Sequence, residues 1–271
     1  MTDCIKNKKL FLLDIDGTVF RGDKLIDGAL DLLSYADKSD CKYIFLTNNS
    51  SKDTNEYLEK FKKFGISVSC DDFITSVQAT SLYLQKHCAD KKIYVMGNTF
   101  FKNFLLQDGH CVVDRYSEDI GAIVIGYDTE LTYQKLIDAC TLLGKDIPYI
   151  ATNPDVICPV ENGYLPDCGS IVEILEKSTG KTPYFVGKPS PLMIELAVKK
   201  SNMRKEEMII IGDRLYTDIA CGINSDVSTA LVLSGEATAD EVEKSAFKPT
   251  YVFENLRAIY NAIMCQNGEN A

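Results

Sequence analysis

Histidine is scarce in this sequence: its 271 residues hold two, His87 and His110. Neither stands near a nucleophile or a ligand pattern, so both read as structural or surface residues. Their scarcity argues against a His-dependent triad and against a His-rich zinc site. Paired cysteine spacing is missing as well. The ten cysteines, at 4, 41, 70, 88, 111, 140, 158, 168, 221 and 265, include no Cys-x-x-Cys. That pattern fits free thiols in a reducing, cytoplasmic setting rather than a disulfide framework. No run approaches the roughly 18 apolar residues of a membrane span. Met1 to Lys9 is polar and leads straight into the first apolar run, so no signal peptide is expected. Basic charge is in deficit: 29 Lys and Arg against 39 Asp and Glu leave a net charge of −10. This argues against a nucleic-acid partner and makes a cation the natural partner of any carboxylate cluster. With 45% hydrophobic and 25% charged residues, the composition is that of a globular protein of one large domain or two modest ones.

What the sequence does contain begins at Asp14-Ile15-Asp16-Gly17-Thr18, at the end of the apolar run Leu10 to Leu13. That run reads as a buried strand. Carboxylates two residues apart on an extended backbone project to one side, about 7 Å from each other. Gly17 lets the chain turn sharply behind them. Two such carboxylates repel unless a cation lies between them or one holds a proton. Taken alone, the motif reads equally well as an ordinary strand exit with solvated Asp side chains.

Later stretches repeat the theme. Val19 to Asp27 reads as a loop or short hairpin, and Gly28 to Asp40 has helical periodicity. The strand Lys42 to Leu46 ends in Thr47-Asn48-Asn49-Ser50-Ser51, whose hydroxyls, amides and backbone N–H groups suit an anion at the following helix N-terminus or, equally, cap that helix. From Ser76 to Ala151, helices and strands alternate, enough for a second sheet with its own core. Thr152 to Gly169 reads as a long irregular loop stiffened by Pro154, Pro159 and Pro166. Gly180-Lys181-Thr182 fails as a phosphate-binding loop, because Leu175 stands where a glycine is needed, and reads as a helix end. The short strand Pro183 to Val186 ends in Gly187-Lys188-Pro189. Met208 to Ile211, the most apolar strand, ends in Gly212-Asp213 and, four residues on, Thr217-Asp218.

Four strands thus end in polar clusters: Asp14 and Asp16, Thr47 and Asn48, Lys188, Asp213 and Asp218. In a parallel α/β sheet such exits share the ligand-binding edge. The inventory suits a hard divalent cation and a phosphoryl group. An Asp can attack phosphorus, and a second carboxyl can move the proton.

With those residues in view, the sequence resembles the haloacid dehalogenase superfamily, and within it the NagD-like or 4-nitrophenyl-phosphatase branch. Its four motifs, in order, look like Asp14-x-Asp16-Gly17-Thr18, Thr47, Lys188 and Gly212-Asp213-x-x-x-x-Asp218, supported by Thr152-Asn153-Pro154-Asp155. The resemblance runs from about Lys8 to Asn261. It implies a Rossmann-like parallel-sheet α/β core formed by residues 1–76 and 183–271. It also implies a smaller inserted α/β cap (type C2), residues 77–182, whose loop from Asn153 to Gly169 chooses the leaving group. It further implies a Mg²⁺-dependent phosphatase acting on small phosphomonoesters through an aspartyl-phosphate. In that scheme Asp14 is nucleophile and metal ligand. Asp16 is general acid/base and ligates the metal through its carbonyl. Thr47, Asn48 and Lys188 hold the phosphoryl oxygens, Asp213 ligates the metal, and Asp218 supports it, as Asn153 and Asp155 support the cap loop. Homodimerisation through the cap is in keeping with the resemblance. Pro166-Asp167-Cys168-Gly169-Ser170 departs from it, since relatives often carry glycine directly after the proline.

Two other readings compete. A phosphomutase or phosphotransferase would pass the phosphoryl group from Asp14 to a sugar hydroxyl instead of water. A non-catalytic binding protein could keep the fold, but all four motifs are intact. Sugar phosphates, nucleotide monophosphates, phosphoglycolate and pyridoxal phosphate all remain open as substrates.

Overall fold

The most apolar strand lies where its composition sends it, inside a sheet. The computed structural model describes residues 5–160 and 163–268. Cys4 of the cysteine set and Asn162 of the proline-rich stretch lie outside the described residues. The chain divides into two compact units. Unit 1 comprises residues 1–47, 54–74 and 193–271, and unit 2 comprises residues 48–53 and 75–192.

Unit 1 begins with strand β1 (Leu10–Leu13), a short hairpin of β2 (Phe20–Arg21) and β3 (Lys24–Leu25), helix α1 (Ala29–Lys38), strand β4 (Lys42–Thr47), helix α2 (Thr54–Lys62) and strand β5 (Phe73–Thr75). In unit 2, helix α3 (Ser76–His87) precedes β6 (Lys92–Met96), α4 (Thr99–Gln107), β7 (Cys111–Val113), β8 (Ile120–Ile125), α5 (Tyr133–Leu143) and β9 (Tyr149–Ala151). It continues through β10 (Ile157–Val160), β11 (Gly163–Pro166), α6 (Cys168–Thr179) and β12 (Tyr184–Phe185). After α7 (Leu192–Ser201), unit 1 resumes with β13 (Met208–Gly212), α8 (Ala220–Asn224), β14 (Ser228–Val232), α9 (Ala239–Lys244), β15 (Tyr251–Phe253) and α10 (Leu256–Gly268).

The six-stranded sheet of unit 1 has the order β15-β14-β13-β1-β4-β5. Strand β1 runs parallel to both neighbours, with Leu13 opposite Ile211 on one side and Phe45 on the other. Every residue of β1 and β13 is buried, as expected of strands covered on both faces. The core below includes Phe11, Leu13, Phe45, Phe61, Phe73, Ile209 and Ile211, with Leu32 and Leu33 of α1 and Ile259 and Ile263 of α10 packed on it. Because parallel strands share their direction, β1 and β13 bring Asp14 and Asp213 out at the same end of the sheet.

Unit 2 has its own five-stranded sheet, β12-β9-β8-β6-β7, whose pairings are all parallel. The alternation read from Ser76 onward therefore builds a second core, with Tyr94, Ile123, Ile125, Leu142 and Leu175 among its buried residues. This is the α/β architecture expected of a parallel-sheet core carrying a smaller inserted α/β domain.

Two local readings change, and a third segment takes a form of its own. The short strand before Lys188 pairs with β9, at Tyr184 opposite Ile150, and so extends the second sheet rather than the first. The proline-rich stretch is not irregular throughout: β10 and β11 form an antiparallel ribbon, with Pro159 opposite Tyr164 and Pro166 opposite Ile157. A two-stranded ribbon has two outer edges, where a missing N–H breaks no ladder, so proline is tolerated there. The segment leading to Asp218 is a wide turn with π-helical hydrogen bonding, Leu215–Ile219, before α8 takes over. Among the described residues, no helix is long and apolar enough to cross a membrane.

Candidate active site

Three carboxylates from two strand exits meet in unit 1. The side chains of Asp14, Asp213 and Asp218 each offer an oxygen within 4.8 Å of the others. Asp213 and Asp218 are buried, at 3% and 1% exposure, and Asp14 is partly so. Strand β1 delivers Asp14, whose N–H donates to the Ile211 carbonyl at 2.9 Å, so the two strand ends stay in register up to the site. The wide turn after β13 folds Asp218 back: its N–H donates to the Arg214 carbonyl at 3.1 Å, and its Oδ2 accepts from the Arg214 N–H at 3.1 Å.

The segment after β14 closes the cluster from another side, and the sequence reading missed it. The Glu236 N–H donates to Asp213 Oδ2 at 2.7 Å, and the Ala237 N–H donates to the Asp213 carbonyl at 3.1 Å. Ser234 Oγ donates to the Gly17 carbonyl at 2.8 Å, and Arg214 pairs with Glu236 at 2.8 Å. Gly17 takes φ +98° and lies so close to Asp213 that a Cβ there would stand 2.2 Å from Oδ2. The signal for this segment was present but faint: Ser234-Gly235, two small residues at the exit of an apolar strand.

Three clustered carboxylates, two of them buried, are mutually repulsive, and three oxygens from separate side chains converging on one point suit a hard divalent cation. The expected Asp14 and Asp213 are both in this cluster, and Asp218, expected to support them, joins it directly. The Asp16 side chain pairs instead with Lys60, at 3.5 Å. Thr47 is buried at the end of β4, its hydroxyl 3.4 Å from that of Tyr57.

The remaining expected residues form a separate network in unit 2. Asn48 Nδ2 donates to Asp155 Oδ2 at 2.8 Å and to the Lys188 carbonyl at 3.0 Å, while its Oδ1 accepts from the Lys188 N–H at 2.8 Å. Asn153 Nδ2 also donates to Asp155 Oδ2, at 2.9 Å, and to Asp167 Oδ1, at 3.2 Å. Lys188 and Asp155 are each 2% exposed. Asn48 thus holds the Lys188 backbone from both sides, and Asp155 is fixed by two amides. Asp167 caps α6, its side chain accepting from the Cys168 N–H. None of the nine described cysteines is in a disulfide. Buried Cys168 has its thiol pushed up to about 12, chiefly by desolvation, as befits a packing residue rather than a nucleophile.

Residues 11–111 match the model of the haloacid dehalogenase-like hydrolases, and residues 185–259 match a second one described as HAD-hydrolase-like. An acid sugar phosphatase of Staphylococcus saprophyticus is 34% identical over 255 residues, 94% of this chain and 98% of the relative. This chain belongs to the haloacid dehalogenase-like hydrolases. Among solved structures, a 4-nitrophenylphosphatase from Thermotoga maritima is 38% identical, with a TM-score of 0.88 over 96% of this chain and 98% of that one. A glycerol phosphate phosphatase from Mycobacterium tuberculosis, solved in complex with magnesium, is 28% identical, with a TM-score of 0.87 over 96% and 78%. A protein described as a putative NagD protein also aligns, at 34% identity and a TM-score of 0.85 over 95% and 98%. Within the haloacid dehalogenase-like hydrolases this chain is a NagD-like phosphatase, a phosphoric monoester hydrolase, and the family works with a divalent metal.

Proposed function

We propose that this phosphatase hydrolyses small sugar or polyol phosphates with Mg²⁺ as its ion, through an aspartyl-phosphate on Asp14. The observation that carries the reading is the meeting of Asp14, Asp213 and Asp218 within 4.8 Å, while Asp16, two residues from Asp14, is held apart by a partner of its own. Neighbouring carboxylates in different settings take different roles.

Asp14, Asp213 and the Asp16 carbonyl would hold the ion, with Asp218 beside them. Bound there, the ion neutralises charge on the phosphoryl oxygens. The protein groups do the rest. An Asp14 oxygen attacks phosphorus as the ester P–O bond breaks, and Asp16 gives its proton to the departing oxygen. Asp16 then takes a proton from water, whose oxygen attacks the phosphorus of the aspartyl-phosphate. The bond to Asp14 breaks, leaving inorganic phosphate and the free carboxylate. Thr47, Asn48 and Lys188 bind the equatorial oxygens, where an ammonium and fixed donors stabilise the charge that spreads in the transition state. Unit 2 acts as the cap, with the β10–β11 ribbon choosing the alcohol portion, supported by Asn153 and Asp155.

Support for sugar phosphates comes from the relatives whose names carry that substrate and from the polar character of the residues assigned to the site. The test is phosphate release from a panel of sugar, glycerol, nucleotide and nitrophenyl phosphates, with Mg²⁺ and with EDTA. Metal-dependent release to water, lost in Asp14→Asn, is the expected result. Phosphoryl transfer seen only when a sugar-phosphate acceptor is added would assign a mutase instead.

A further inference from the structure

A lysine outside all four motifs reaches the acid/base candidate. Lys60, on α2, places Nζ 3.5 Å from Asp16 Oδ1 and 4.4 Å from the centroid of the Phe20 ring. Its side chain is 18% exposed and that of Asp16 is 40% exposed. Phe20 is fully buried, packed edge-on against Phe61 at 4.9 Å and beside Phe64 at 5.4 Å. The same Phe20 is tied to Asp16 through the backbone: the two form an isolated bridge, and the Gly17 N–H donates to the Phe20 carbonyl at 2.7 Å.

A carboxylate this exposed, with two side-chain torsions, would sample several rotamers in water. An ammonium on a flexible stem would normally be too mobile to select among them, which is why exposed ion pairs contribute little. Here the stem is not free. The ring below attracts the cation and restrains it, and the ring itself is fixed in the aromatic core. Phe61 and Lys60 are consecutive on α2, so one helix turn anchors both the ring and the cation above it.

We infer that Lys60 is a positioning residue for proton transfer by Asp16, holding its carboxyl in the orientation from which the departing oxygen is protonated. The inference rests on the acid/base reading of Asp16 given above. Among the described residues, the ion pair of Lys60 is with Asp16 and its ring contact with Phe20, not with the carboxylate trio.

Leaving-group dependence separates this role from a structural one. A nitrophenolate departs without a proton, whereas an alkoxide needs one, so loss of acid positioning falls on alkyl esters. The quantity to compare is kcat/KM, which runs from free enzyme and ester through departure of the alcohol and excludes hydrolysis of the aspartyl-phosphate. The substrates are 4-nitrophenyl phosphate and whichever sugar or glycerol phosphate the wild type hydrolyses fastest. Lys60→Met keeps the stem and removes the charge. It should lower kcat/KM on the alkyl ester about tenfold while leaving the nitrophenyl ester within about twofold. Lys60→Arg, which keeps both the charge and the ring contact, should restore the alkyl ester to within about threefold of wild type. An equal fall on both esters, or no fall on either, would overturn the inference. Asp16→Asn, assayed alongside, keeps the two claims apart. If that variant discriminates between the esters and Lys60→Met does not, the lysine has no such role and the acid/base reading stands. If Asp16→Asn itself shows no discrimination, the acid/base reading fails and the inference goes with it.

Discussion

Gly235 lies against Asp213 so closely that a Cβ on the glycine would stand 1.9 Å from Oδ2 and 2.6 Å from the Asp213 Cβ. No side chain fits without moving either the carboxylate or the segment that donates to it through the Glu236 N–H. Gly235→Ala should therefore raise the Mg²⁺ concentration needed for half-maximal activity about tenfold or more, the usual effect of disturbing a metal ligand's support. A Mg²⁺ titration of phosphate release checks this. An unchanged midpoint would show that the segment after β14 has no part in orienting Asp213.

The carboxylate trio makes a prediction about stability as well as rate. Without a cation, Asp14, Asp213 and Asp218 repel one another in a partly buried site. Asp14→Asn removes one of these charges, so in EDTA the variant should melt at a higher temperature than wild type. In saturating Mg²⁺ the order should reverse, because the variant binds the ion less well. Turnover should fall about a thousandfold or more, as expected for a lost nucleophile. Melting curves in both media and a phosphate-release assay give the three readings.

Removal of the metal should be reversible. EDTA should abolish turnover of every ester, and added Mg²⁺ should restore it, with Ca²⁺ competing for the site without supporting comparable rates. Restoration by Ca²⁺ alone would contradict the assignment of Mg²⁺.

The β10–β11 ribbon carries Tyr164 at 69% exposure with Val160 and Leu165 also exposed. Exchanging this ribbon for that of a relative should reorder the preferred esters while changing hydrolysis of 4-nitrophenyl phosphate by less than about tenfold. A uniform loss across the panel would argue that the ribbon serves stability rather than selection.

His110 gives unit 2 a pH dependence. Burial pushes its imidazole below the ordinary 6.5, against the opposing pull of Asp108, and Ser81 Oγ lies 2.7 Å from Nε2. A histidine neutral in the fold and free to protonate when unfolded stabilises fully above about pH 6.5 and loses that contribution as pH falls toward the folded value. Amide protection factors of α3 and α4, measured against intrinsic exchange that itself slows at lower pH, should fall as the pH drops from about 7.5 to about 5.5. His110→Gln should flatten the difference.

Much of this was legible in the residues. Asp14 and Asp213 stand at the ends of strands whose apolar runs announce burial, a parallel sheet brings such ends together whatever lies between them in sequence, and the turn after β13 adds Asp218. The segment Ser234 to Glu236 was harder to see because it acts through backbone N–H groups and through the absence of side chains, which carry no motif. Lys60 gave no signal, since a lysine on an amphipathic helix is usually a solvated one. The ribbon at 157–166 was hidden by its prolines, which argue against strands in general but not against the outer edges of an isolated pair. The sheet of Lys188 was misplaced because Tyr184–Phe185 is too short for its pattern to name a partner, and pairing with β9 is decided by tertiary contact.

The register of β1 also sets a schedule for synthesis. Leu10 pairs with Lys42 on one edge but with Met208 on the other. At a ribosomal pace of roughly 5–20 residues per second, the second partner follows the first strand by about 10–40 s. During that interval a fully apolar strand bearing the nucleophile candidate has an open edge, while residues 75–192 have already emerged with a sheet of their own to form. Slowing translation after residue 192 should thus increase the demand for chaperones that shield unpaired strands, and the yield of active protein should depend on how quickly Met208 to Gly212 arrives.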